Sequence, residues 1–163
     1  MITFDPTYLA PFQENFRLCQ KAVDNLVFTR NGLQDVFPLT GERLSQVSPE
    51  SLERLDALTE RFSRLQDLMG ERLFRSLMFL EGESRPRFLD VLNLMENRGI
   101  VASSQQWLEL RNMRNEASHG YLDDPSQLAM VLTTLFNRSS DLIESFSNLK
   151  RYVREVLKIA VNV

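Results

Sequence analysis

A chain of 163 residues, 43% hydrophobic and 25% charged, has the size and composition of one globular domain and excludes a disordered or low-complexity protein. Its net charge of −3 excludes a general nucleic-acid coat, so any contact with nucleic acid must be local, through clustered arginines. One cysteine, Cys19, and one histidine exclude an intramolecular disulfide and the usual zinc sets of Cys and His, and no metal or other cofactor is expected.

The predicted elements are all helical. Leu9, Phe12, Phe16, Cys19, Val23 and Leu26 recur at spacings of three and four, one apolar stripe on a first helix that ends at Asn31-Gly32 in a left-handed cap. Pro38 and Gly41 punctuate a looser stretch. Ser48 is placed to cap a second helix, with Pro49 at its first position and Glu50 at the positive end of its dipole. Its stripe, Leu52, Leu55, Leu58, Phe62, Leu65, Met69, Leu73, Leu77 and Leu80, predicts a long helix reaching Glu81 with Gly70 as a weak point.

After Gly82 and Arg85-Pro86, a short third helix carries Phe88, Leu89, Leu92 and Met95 and stops at Asn97-Arg98-Gly99. Ser103 or Ser104 starts a fourth, with Trp107, Leu108 and Leu110, that breaks near His119-Gly120. Asp123-Asp124-Pro125 opens the last long helix, striped from Leu128 to Val156. No alternating run reads as a strand. The expectation is an all-α, mostly antiparallel up-and-down bundle of four to five helices, a single domain over residues 1–163. Nothing at the start reads as a signal peptide and no stretch approaches the ~20 apolar residues of a membrane span, so the expected location is the cytoplasm, with no membrane partner.

One segment, residues 111–121, is not explained by packing: Arg111-Asn112-Met113-Arg114-Asn115-Glu116-Ala117-Ser118-His119-Gly120-Tyr121. It holds the one histidine and two arginines beside a helix break. At ~100° per residue, Asn115 and His119 share a face, and the amide is placed to orient the imidazole. Arg114 and His119 stand about 140° apart on an ideal helix, so they cooperate only if the helix end distorts or if they meet across a dimer axis.

The run R-N-x-x-x-H-x-Y, here Arg114 to Tyr121, resembles the signature of HEPN proteins, in the branch paired with minimal nucleotidyltransferases. The stretch from Pro86 through Arg98-Gly99-Ile100-Val101, Trp107 and the motif to Asp123-Asp124 is similar to the nucleotidyltransferase substrate-binding family of that group, and residues 55–67 share its style. The resemblance implies a four-helix bundle, usually a homodimer, with facing motifs in a basic cleft. It implies a metal-independent endoribonuclease serving as the toxin of a toxin–antitoxin pair, silenced when a nucleotidyltransferase partner attaches AMP to Tyr121. It equally admits a non-catalytic substrate-binding subunit, or antitoxin-like partner protein, for that nucleotidyltransferase.

The residues suit the chemistry. Cutting RNA without a metal needs a base for the 2′-hydroxyl proton, a role for His119 with its ordinary pKa near ~6.5. It also needs a cation to steady the phosphorane, a role for the planar fork of Arg114. The general acid is left to a second His119 in a dimer or to water. Asn115, Arg111 and Tyr121 are candidates for substrate contact or modification.

Plainer readings stand beside these. His119 could cap its helix, Arg114 pair with Glu109 or Asp123, and Arg111 form a salt bridge. Trp107 reads as core or dimer interface rather than a stacking platform, and Cys19 as core. Lys150, Arg151, Arg154 and Lys158 read as a solvated face complementing a helix C-terminus. The long stripes of the second and last helices give a second ground for a dimer, if one small bundle leaves them partly uncovered.

Overall fold

Asp5 caps a short 3₁₀ turn, Pro6–Tyr8, that leads into α1, Leu9–Asn31, and the stripe residues Phe12, Phe16, Cys19, Val23 and Leu26 of α1 are all buried. The structure is a computed structural model and describes residues 3–118 and 123–161. The left-handed cap expected at Gly32 is not made. Its φ of −75° and ψ of −6° continue the right-handed turn, and its N–H bonds to the Phe28 carbonyl at 3.2 Å. The physical reason is that the right-handed exit already satisfies the last turn and feeds the core: beside the Gly32 bond to Phe28, Leu33 N–H donates to the Arg30 carbonyl at 3.1 Å, and Leu33 is fully buried. Arg54, from the next long helix, reaches the Gly32 carbonyl at 3.5 Å.

The stretch expected to be loose contains α2, Gly41–Gln46, capped by Thr40, whose hydroxyl accepts from Arg43 N at 3.1 Å. A six-residue helix is too short to persist by itself and is held by packing on α7 (Pro125–Glu155). The approach is close enough to require glycine, because a Cβ on Gly41 would lie 2.6 Å from Ser126 Oγ and 3.0 Å from its backbone nitrogen.

The long central helix begins as expected. Ser48 Oγ accepts from Ser51 N at 3.1 Å, Pro49 occupies the first turn, and α3 covers Pro49–Asp67. It is not uniform to its end. Leu68–Leu73 winds as a π-helix before α4, Phe74–Leu80, resumes the tighter winding. The weak point read at Gly70 therefore becomes a wide turn rather than a break, and Gly70 is fully inside the protein. A Cβ there would meet the Phe88 ring at 3.0 Å and Trp107 at 3.6 Å, so glycine lets two aromatic side chains lie against the backbone.

The third and fourth expected helices are α5, Phe88–Asn97, and α6, Ser104–Ser118. Asp124 caps α7 by accepting from Ser126 N at 2.9 Å. Every regular element among the described residues is helical, with no strand, and they form one body in which α3 and its π segment pack on α1, α6 and α7. The core is aromatic where helices cross. Phe16 lies 4.9 Å from Phe146, and Phe74 lies 5.2 Å from Trp107, between ring centroids.

The apolar stripes of the central and last helices are covered within one chain. From Leu55 to Leu80 the stripe of the central helix is at most 1% exposed, and Val131, Leu135, Phe146, Leu149 and Val153 of α7 are buried. Only Leu52 and Val156, at the stripe ends, stand out. Uncovered stripes are therefore no ground for a dimer. No helix among the described residues is long and apolar enough to cross a membrane.

Candidate functional site

The motif helix is fixed at its start by α5. Glu96 Oε2 accepts from both the amide (3.2 Å) and the hydroxyl (2.7 Å) of Ser104, and these two bonds hold the Glu96 carboxyl below its ordinary pKa. Ser103 Oγ accepts from Gln106 N at 3.2 Å, closing the first turn. One turn on, Trp107 is buried over Gly70 and against Phe74, as its sequence reading expected.

From there α6 runs antiparallel to α3, and three polar contacts set the register. Gln66 Nε2 donates to the Trp107 carbonyl at 2.9 Å. Arg111 Nη2 lies 3.4 Å from Glu71 Oε1, and its guanidinium stacks 5.2 Å over the Phe88 ring. Arg114 Nε donates to Gln66 Oε1 at 2.9 Å, and Nη2 donates to Asp67 Oδ1 at 2.5 Å. One turn forward along α6, from Arg111 to Arg114, is thus one turn back along the central helix, from Glu71 to Asp67.

Arg114 is the surprise of the site, with a side chain only 7% exposed. A buried guanidinium needs both neutralisation and hydrogen bonds, and Asp67 and Gln66 supply them. Its carboxylate partner is neither Glu109, which accepts from Gln105, nor Asp123, which is exposed. Among the described residues nothing accepts from Nη1. Arg111 forms the interhelix salt bridge of its plainer reading, and Asn115 is half-buried. His119 and Tyr121, the proposed base and the proposed modification site, lie outside the described residues.

Sequence reasoning missed Gln66, Asp67 and Glu71 as partners of the motif. A signal existed for the first. Phe62, Gln66, Met69 and Leu73 continue the three-and-four spacing of the core stripe, so Gln66 is a polar residue on an apolar face. A buried amide needs partners, and its partners here are on the motif helix.

Beside Asp67 the outer face of α3 and the π segment carries an open groove of about 450 Å³, lined by Ser63, Arg64, Asp67, Leu68 and Arg72 among others. A second cleft of about 430 Å³ lies between α6 and α7, with Trp107 and Leu110 on its floor and Arg138 tied to Gln106 (2.8 Å) and Asp141 (2.7 Å) at its rim. The groove, not the cleft, adjoins the Arg114 ion pair. No group of His, Cys, Asp and Glu among the described residues is arranged to hold a metal ion. Comparison with protein-family models, with curated proteins and with solved structures finds no match to the chain.

Proposed function

We propose that this chain is a HEPN-type toxin of a toxin–antitoxin pair, a metal-independent endoribonuclease that acts as a homodimer in the cytoplasm. A minimal nucleotidyltransferase partner regulates it by transferring AMP to the Tyr121 hydroxyl. His119 takes the proton of a ribose 2′-hydroxyl, the freed oxygen attacks the adjacent phosphorus, and Arg114 steadies the charge on the phosphoryl oxygens. The leaving 5′-oxygen receives its proton from a second copy's His119 or from water. Asn115 orients the imidazole, while Arg111 and Tyr121 contact RNA.

The observation that carries this reading is the octet from Arg114 to Tyr121, whose described residues lie on α6 of an all-helical bundle. The arrangement of Arg114 adds to it, because Gln66 fixes the plane of the guanidinium in advance of any ligand. The dimer rests on the resemblance and on the 140° between Arg114 and His119 along an ideal helix.

A second reading has its own observation. Arg114 is buried and already paired, as a residue joining two helices would be. That favours a structural role for Arg114, as in a non-catalytic subunit that presents substrate, or itself, to the nucleotidyltransferase, or in a plain helical adaptor in which the octet is coincidence. Expression of the chain alone in a bacterial host separates the two. Growth arrest that disappears in His119→Ala supports the toxin, and unimpaired growth with well-expressed wild-type chain supports the subunit.

A further inference from the structure

We infer that Arg114 belongs to a phosphate-ester site that the chain keeps filled with its own carboxylate, Asp67, so that a phosphate binds by displacing Asp67. This rests on reading Arg114 as a phosphate ligand.

The two partners of Arg114 are not equivalent. Gln66 is 1% exposed and uses both ends of its amide, one on Arg114 Nε and one on the Trp107 carbonyl. Tied at both ends and buried, it keeps its bond to Nε whether or not Asp67 is in place. Asp67 is different. Its side chain is 46% exposed and lines the open groove of about 450 Å³. Rotation of Asp67 toward water would rehydrate its carboxylate and leave Arg114 Nη2, behind that stretch of the groove wall, without its acceptor.

Carboxylate and phosphate oxygens suit the same edge of a guanidinium, so Asp67 occupies the place that an anion would take. The same groove holds Arg72, and Arg64 paired to Glu60 at 2.7 Å. Ser63, also in its lining, has a hydroxyl without a hydrogen-bond partner among the described residues. Glu60, Asp67 and Glu71 offset the arginines there, so the resting groove has no strong pull on anions. The consequence is weak anion binding in the resting chain, and a gain concentrated in one residue.

The ligand chemistry is a phosphate ester, from an RNA backbone or a free nucleotide. The test titrates inorganic phosphate, AMP and a short 2′-O-methyl oligoribonucleotide into the full chain, followed by amide NMR shifts. The 2′-O-methyl group blocks attack by the 2′-oxygen, so binding is read apart from cleavage. Asp67→Asn should tighten phosphate binding about tenfold, the worth of one hydrogen bond to a charged group. Glu60→Gln removes the same charge from the same groove without touching Arg114 and should change it less than twofold. Arg114→Gln added to Asp67→Asn should remove the gain.

A larger gain with the oligonucleotide assigns the site to RNA, and one with AMP assigns it to a nucleotide. Equal gains from Asp67→Asn and Glu60→Gln would overturn the inference, as would no gain from Asp67→Asn; that comparison stands even if the double variant does not fold. RNA cleavage by the wild type with no gain in Asp67→Asn sinks this inference and leaves the ribonuclease. A gain without cleavage does the reverse.

Discussion

Gln66 and Arg114 share a buried hydrogen bond of 2.9 Å, and the other end of the same amide holds the Trp107 carbonyl, also at 2.9 Å. One glutamine therefore fixes α6 at two levels, two turns apart. Gln66→Leu keeps the volume but leaves Arg114 Nε without its acceptor and removes a donor from Trp107. It should cost about 2–4 kcal/mol in urea denaturation. Arg114→Lys should also destabilise, because an ammonium cannot reach both partners with one planar fork. A loss below ~0.5 kcal/mol for Gln66→Leu would show that the bond contributes little.

Gly70→Ala tests the π turn. An alanine in an ordinary exposed helix interior gains about 1 kcal/mol over glycine. Here its Cβ would press on the Phe88 ring at 3.0 Å, with Trp107 at 3.6 Å. The expected outcome is a loss of about 1–2 kcal/mol together with a changed fluorescence of Trp107, the one tryptophan. Stabilisation with an unchanged spectrum would contradict this packing.

At the other end of the bundle, Glu81 is buried to 1% of its side-chain surface, accepts from the Tyr152 hydroxyl, and lies 3.5 Å from Arg98 Nε. Burial, then the bond to Glu81, push the Tyr152 phenol above its ordinary range. Arg98→Ala removes the cation from a buried carboxylate and should cost about 2–3 kcal/mol, discounted for the partial exposure of Arg98. Tyr152→Phe removes one neutral donor and should cost about 1–2 kcal/mol. Thermal melts of the two variants check the order, and the reverse order would mean that the phenol, not the ion pair, holds this end.

Cys19 is fully buried on α1, and burial pushes its thiol pKa up to about 12. In the unfolded chain the thiol titrates near ~8.5. A group raised on folding gives its full stabilisation below the unfolded value and loses it as the pH rises toward the folded one. Stability should therefore fall between about pH 8.5 and 12, by up to ~1.4 kcal/mol per pH unit, and Cys19→Ala should lack this component. A thiol-reactive disulfide reagent at neutral pH should label the native chain no faster than it unfolds. Rapid labelling would place Cys19 at the surface.

The fold was legible because it rests on periodicity and caps. Phe12 to Leu26 and Leu55 to Leu80 carry their burial in their spacing, and Ser48 and Asp124 cap where their side chains allow. Two local features followed from tertiary contacts instead. α2 depends on α7 beneath Gly41, and the right-handed exit at Gly32 goes with the burial of Leu33 in the core. Of the candidate site, the helix that carries Arg114 was legible and the contacts across it were not. The partners of Arg114, Gln66 and Asp67, lie 48 and 47 residues upstream, and no local pattern in residues 111–121 names them.

The most direct test of the central proposal is RNA cleavage by the purified chain in a metal-chelating buffer, wild type beside His119→Ala, with both shown to be folded by circular dichroism. The proposal expects the wild type to cut RNA and His119→Ala to leave it intact. Intact RNA with folded wild-type chain, or equal cleavage by both, would contradict it.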